Sequence, residues 1–476
     1  MSDANSYSPV LQRKFSIAED VPPSTDWRSI VIVTLITFLM SVEMSFAANG
    51  DWMYMITAKT TSNFNGIATS VTLATNALSV LLFAAAYQQF RSVKVMLIAG
   101  RILSLAGCVL YLSVEFFPDN RRFVLLASYI IFATGAGPSP LLRAIISRTS
   151  TEENRTKAFA AFNLADILAN LISPLVQLAF SAIHYPGATV FANLRFNIYT
   201  APTFVAILLN IACLFIVGLL FSDPSSTKDN ERDHWTLESL RRRLTLLKEA
   251  PFSWQLIIVL ILQRAVLGFA DTMLSTTMGP LYTSTFALTG PQVVQLGSIS
   301  QLVISVIAIG LSLLFVLVKM GRWISNRLLY LVGYLTVIIM YITSYPWPMW
   351  SSHLQPYNET MMTGCNPEEY AWCDDVLTSS LWTLVPVFVI VIGFSVPAIN
   401  ISFDSMYSKA LGDIDQGPMQ SMLTVTQDVF AIAAPLCSAA IYTAAGMPLL
   451  MIINFSITTI AVVVWLIIWK SLGKYQ

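Results

Sequence analysis

The chain alternates long apolar runs with short polar breaks, and the length of the runs fixes its class. A helix needs about 20 consecutive apolar residues to cross a bilayer. Twelve runs of that kind occur, at 30–50, 64–89, 94–115, 122–146, 158–183, 199–221, 253–276, 291–317, 325–345, 379–407, 419–444 and 447–472. They are numbered below as spans 1 to 12. Most of the breaks are no longer than 15 residues. The longer ones are 1–27, 222–252 and 346–378, none large enough for a soluble domain. Residues 1–27 are polar, end in Val21-Pro22-Pro23 and lack the short apolar core of a cleavable signal peptide. Span 1 is therefore expected to be an uncleaved anchor. The predicted fold is an all-α membrane protein of twelve transmembrane helices.

Composition agrees and narrows the function. Hydrophobic residues make up 55% of the chain and charged residues 11%, against about 25% charged in an ordinary soluble domain. So little charge cannot cover a water-facing surface, which excludes a soluble enzyme, a nucleic-acid binder and a disordered chain. The 27 basic residues equal the 27 acidic ones, so net charge says nothing about partners, and position carries the information. Lys and Arg accumulate in cytosolic loops. With the N-terminus in the cytosol, only Lys59, Arg121, Arg122 and Arg195 fall in exterior loops, and Arg101 and Arg264 fall inside helices. The remaining 21 of 27 lie on the cytosolic side. Loop 346–378 has no basic residue but carries Glu359, Glu368, Glu369, Asp374 and Asp375. Both termini are expected in the cytosol.

The same loop carries two exterior marks. Asn358-Glu359-Thr360 is a glycosylation triplet. Cys365 and Cys373 flank a short turn with Pro367, and a disulfide between them suits an oxidising compartment. Cys108, Cys213 and Cys437 lie in apolar runs and read as small core residues. The triplets at Asn154, Asn400 and Asn454 fall in the cytosol or in helices and are discounted.

Residues 222–252, dense in both charges, divide the runs six and six. Within them 235–249 suits an amphipathic helix on the membrane face. Arg241-Arg242-Arg243 reads as a topology determinant ahead of a lipid-binding patch. Six plus six about a charged cytosolic linker is the major facilitator arrangement of two parallel repeats. The predicted domains are a cytosolic tail 1–27, a six-helix half 28–221, the linker 222–252, a second half 253–472 with its exterior loop 346–378, and a cytosolic tail 473–476. A weak internal echo supports the repeat. Asp166 stands eight residues before Pro174-Leu175, and Asp428 seven before Pro435-Leu436. Spans 2 and 3 are joined by Phe90-Arg91-Ser92-Val93-Lys94, spans 8 and 9 by Lys319-Met320-Gly321-Arg322. Such basic turns cap helix ends and pair with acids when the cytosolic side closes. Gln89 stands where the superfamily signature usually has Asp.

At finer grain the chain resembles the lysosomal major facilitator family of the ceroid lipofuscinosis type 7 protein. The likeness runs in patches over nearly the whole membrane region: Trp27-Arg28-Ser29-Ile30, Gly135-Ala136-Gly137 with Arg143, Asn197 with Tyr199, Thr200 and Pro202, Thr363-Gly364-Cys365 with Ala371-Trp372-Cys373, and Tyr407-Ser408-Lys409 with Leu411-Gly412 and Gln416-Gly417. Tyr129 and Ala431 stand where family members carry arginines, Asp271 where they tend to have Glu, and Glu43 where a glycine is expected. A family-typical acidic dileucine signal is missing from the N-terminal tail. The chain reads as a divergent member. The resemblance implies a secondary transporter of a small solute, working by alternating access in a lysosomal or endosomal membrane, with the plasma membrane as the alternative site. It also permits an anion (chloride) channel on the same scaffold. A scaffold or receptor that transports nothing is the third reading, against which the intramembrane acids argue.

Charges within the bilayer are costly and mark functional candidates. In this fold spans 1, 4, 7 and 10 line the central path, and spans 2, 5, 8 and 11 form the moving interface. Glu43 in span 1 and Asp271 in span 7 occupy matching helices of the two halves. Either can couple protons to transport or pair structurally with Arg264, seven residues before Asp271. Arg143, near the cytosolic end of span 4, either attracts an anion or snorkels. Asp166 and Asp428, with Arg91, Lys94, Lys319 and Arg322, are candidates for contacts between the halves that form in one state and break in the other. Asp404 near Lys409 reads as a helix-end charge, and Arg101 as peripheral and structural. Gly135, Gly137, Pro138 and Pro140 loosen span 4, as Gly393 and Pro397 loosen span 10. His184, His234 and His353 are scattered over loops, so no metal, cofactor or enzymatic site is expected. Trp347, Trp350, Trp372 and Trp382 suit an interfacial belt. Tyr7-Ser8-Pro9-Val10 has the form of an endolysosomal sorting signal, which would make sorting adaptors partners beside the solute, protons and the bilayer.

Overall fold

A computed structural model describes residues 24–473 except 59, 118, 192–193, 224–252, 318–323, 350 and 412–416. The sorting motif at Tyr7 and Val10, the amphipathic stretch 235–249 and the turn residues Lys319 and Arg322 lie outside the described residues. The first half consists of Trp27–Thr57, Ser62–Phe90, Val93–Leu112, Arg121–Gly135 resumed at Ser139–Thr149, Glu152–Phe180, and Ala201–Phe215 extended by a π turn to Leu220. The second consists of Trp254–Pro280 with a π turn to Thr285, Gly290–Leu317, Asn326–Ser344, Leu381–Leu411 and Gly417–Leu472. Among the described residues these give eleven continuous apolar spans.

The last of them counts twice. Its 56 residues would make a rod of about 84 Å, far beyond a hydrocarbon core of about 30 Å. Gly446 interrupts it with φ 70° and ψ −160°, a conformation that a residue without Cβ adopts freely. The chain reverses there. Met419 accepts a hydrogen bond from the Tyr407 hydroxyl, while Trp469, at the other end of the run, accepts one from Arg327. Spans 11 and 12 thus meet at Gly446 with no loop between them, and the crossings number twelve.

Polar side chains start several spans. Asp26 caps span 1 by accepting from the Ser29 amide at 3.2 Å and its hydroxyl at 2.6 Å. The Ser29 hydroxyl holds the Asp26 carboxyl below its usual range. A lowered value means the cap adds stability above the unfolded pKa of about 3.9 and loses it only in stronger acid. Asp26→Ala is expected to cost about 1 kcal/mol, read as a lower thermal midpoint in detergent at pH 7.

Span 4 breaks where Gly and Pro cluster. Its helix ends at Gly135 and restarts at Ser139. Span 10 runs unbroken through Gly393 and Pro397, so the two sets of loosening residues differ in outcome. Cys437 is exposed rather than a core residue. Lys409 forms no ion pair with Asp404 among the described residues. Two short hairpins, Ala188–Phe191 with Leu194–Phe196 and Ser352–His353 with Leu377–Thr378, sit in loops where no strand is expected. Leu78, Leu81, Leu208, Leu219, Val463 and Ile467 stand exposed on the outside, as a lipid-facing wall requires.

The core is asymmetric along the membrane normal. At the end that carries loop 346–378, one apolar cluster runs through both halves, from Tyr54, Tyr111 and Tyr199 to Leu281, Met340, Trp372 and Tyr442. At the end that carries Trp27 and Leu472, each half has its own cluster. One is centred on Ile30, Leu97 and Phe162, the other on Tyr330, Phe403 and Trp465. The hydrogen bonds that join the halves follow the same division. Asn65 donates to Thr276, Thr443 to Asn63, Ser298 to Gln177 and Ser305 to Asn170, at 3.1–3.3 Å. Among the described residues, the halves share an apolar cluster at the loop face and keep separate clusters at the termini face.

Candidate functional site

Toward the termini face, the second half carries its own cluster of polar residues. Arg264 in span 7 donates from Nε to Gln427 Oε1 at 2.9 Å and from Nη1 to Asn400 Oδ1. Its guanidinium also lies 5.7 Å from the Phe403 ring, within cation–π range. Spans 7, 10 and 11 thus meet on one cation that has amide partners. The ion pair with Asp271 that the seven-residue spacing allows is not formed. Asp271 is solvent-accessible although it lies midway along span 7. It accepts no hydrogen bond from the described residues. Asp404 lies one turn beyond Asn400 on the same face and is exposed. Asp428 lies seven and eleven residues before Pro435 and Ala439, which contact span 2 at Gly66, so it shares their face toward the first half.

Glu43 turns elsewhere. It is buried inside the first half, where Oε2 accepts from Arg101 Nη1 at 2.7 Å and Oε1 from Asn210 Nδ2. The Cys108 thiol lies 3.8 Å from Oε1. Glu43 and Arg101 are 3% and 2% exposed. Arg101 Nη2 also donates to the Gly135 carbonyl at 3.1 Å. That carbonyl is free because the helix breaks there, and Ser139 donates to Ala136 instead. Gly100 and Gly135 let spans 3 and 4 touch closely enough for this bond, since a Cβ on either would strike the facing backbone. Arg101, read from sequence as peripheral, therefore joins spans 1, 3, 4 and 6. Glu43 also borders a cavity of about 60 Å³ within the first half, walled by Phe46, Tyr111, Tyr129, Phe132 and Tyr199.

The remaining candidates are distributed. Asp166 accepts from the Ser41 hydroxyl, within its own half. Lys94 donates from Nζ to the Gly218 carbonyl at 2.7 Å, and its amide donates to Asp223 at 3.0 Å. Arg91 is the left-handed C-cap of span 2, at φ 55°. Arg143 is exposed and packs over Phe162 at 5.6 Å. The sequence reading missed Asn210, Asn400 and Gln427, although each is an amide set in an apolar run. Cys365 and Cys373 form a disulfide. Asn358 sits in an exposed turn, where its side chain accepts from Thr360.

The described spans form two helical halves joined at the loop face, and sequence relatives identify the class. The Major Facilitator Superfamily model matches residues 28–357. The chain belongs to that superfamily. It is 23% identical over 447 residues to major facilitator superfamily domain-containing protein 8 of Xenopus laevis, covering 88% of this chain and 86% of that one. Its fold resembles an inward-facing, occupied bacterial homologue of the human lysosomal transporter Spinster (TM-score 0.62, 12% identity, covering 94% of this chain and 96% of that one). It also resembles a D-xylose-proton symporter (TM-score 0.61, 12% identity, covering 93% and 97%). The protein is a multi-pass membrane protein of a transporter superfamily.

Proposed function

We propose that the protein is a secondary transporter that moves a small solute across an endolysosomal membrane by alternating access, with Asp271 as the proton-carrying group. The observation that carries this reading is a solvent-accessible carboxylate midway along a membrane span, with no hydrogen-bond or ion-pair partner among the described residues. An intramembrane carboxylate costs several kcal/mol when ionised, and protonation removes that cost. Arg264, held by neutral amides, supplies a fixed positive charge on the same wall. The termini face is cytosolic in this reading, which the distribution of basic residues supports. The loop face, with its disulfide and glycosylation triplet, is lumenal. The endolysosomal location rests on the sequence resemblance to the lysosomal family of the ceroid lipofuscinosis type 7 protein.

The test is flux into reconstituted vesicles under an imposed pH gradient, with a panel of organic anions and chloride. Saturable uptake and counter-exchange are expected. Asp271→Asn should abolish accumulation driven by the pH gradient, by tenfold or more, while exchange at equal pH persists. A current linear in voltage and indifferent to Asp271 would instead establish an anion channel.

A further inference from the structure

We propose that residues 363–373 form a latch on the loop face, which belongs to the second half but closes on the first and must release before the cavity can open there. This rests on the alternating-access reading above. The segment is anchored to its own half at three points. The Gly364 amide donates to the Thr283 carbonyl at 2.9 Å. Trp372 Nε1 donates to the Tyr442 and Thr443 carbonyls at 3.0 and 3.2 Å. The Trp372 ring covers Gly446. The Cys365–Cys373 disulfide closes the segment into a small ring.

From that base it reaches across the division. Glu369 Oε1 accepts from the Ser62 amide at 2.7 Å, and the Tyr370 hydroxyl bonds the Ser62 hydroxyl. Ser62 is the first residue of span 2, so the second half places a carboxylate at the N-terminus of a helix in the first, where helix and charge attract. Tyr370 is 2% exposed and packs on Trp372 and Tyr442, which makes this contact part of the core. Charge-assisted bonds are stronger than neutral ones. No other cross-half bond described above is charge-assisted. If the halves part at this face, the Glu369–Ser62 bond is stretched by the full movement between them. The disulfide and Trp372 keep the segment folded with the second half, so it is ready to close again.

The latch can be tested with a cysteine reporter. Ala431→Cys in a Cys437→Ser background places one thiol on the face of span 11 that carries Gln427 toward Arg264, one turn further on. In vesicles of known orientation, a membrane-impermeant thiol reagent is added to one face at a time. Glu369→Gln with Tyr370→Phe is expected to raise the labelling rate from the loop face about tenfold, the scale set by losing one charge-assisted bond. Bridging Ser62→Cys to Glu369→Cys with a short thiol cross-linker should abolish loop-face labelling and leave termini-face labelling intact. Loop-face labelling that neither change alters would overturn the latch and leave alternating access standing. A reporter that is never labelled from the loop face, in any variant, would overturn alternating access and the latch with it.

Discussion

Arg101→Ala is expected to leave little folded protein. It strands the Glu43 carboxylate inside the first half without its counter-charge, and it strips the Gly135 carbonyl of its donor. Removing one partner of a buried ion pair costs about 3–5 kcal/mol, a large share of what holds a domain together. The measurement is the monodisperse fraction after graded heating in detergent. Glu43→Gln should also destabilise, because it strands the cation instead. The Glu43→Gln, Arg101→Gln double variant should recover part of the loss, since neither charge is then left alone. A double variant no better than Arg101→Ala would show that the two side chains contribute separately and that their pairing adds nothing.

Trp372→Ala carries the second large effect. The indole is almost fully buried between the loop and the reversal of spans 11 and 12, and its Nε1 bonds two carbonyls beside that reversal. Truncation removes the ring from the Gly446 surface and leaves a cavity, at a cost of about 3–5 kcal/mol. Trp372→Phe retains most of the packing and loses only the donor, which should cost about 1 kcal/mol. The thermal midpoints should therefore rank native, Phe, Ala, with the larger gap between Phe and Ala. Equal loss in the two variants would mean that the hydrogen bonds, and not the packing, hold the reversal.

The spans were legible in the sequence because a bilayer demands apolar runs of set length. The predicted gap between 444 and 447 falls on the residue where the helix turns back. The break in span 4 was legible too, as Gly and Pro act through the local backbone. The partners of Glu43 were not. Its place in span 1, matched to Asp271 in span 7, suggested two carboxylates facing one cavity. Which way a side chain points depends on how the helix is rotated against its neighbours, and an apolar run on all sides leaves that rotation unmarked. Span 1 turns Glu43 inward, toward Arg101 and Asn210, while span 7 leaves Asp271 exposed. The hairpins at 188–196 and 352–378 escaped because two to four residues per strand give no period to detect. The apolar clusters that close one face involve residues more than two hundred positions apart, and no local pattern records them.

The join at Gly446 has a mechanical meaning. Two helices linked by a flexible loop can tilt independently, and the loop absorbs the difference. Spans 11 and 12 have no such slack, and an indole from the adjoining loop is wedged against their corner. Any lean of span 11, which carries Gln427 beside Arg264, is passed to span 12 and to the disulfide-closed ring above it. The corner works as a crank between the cavity wall and the outer face.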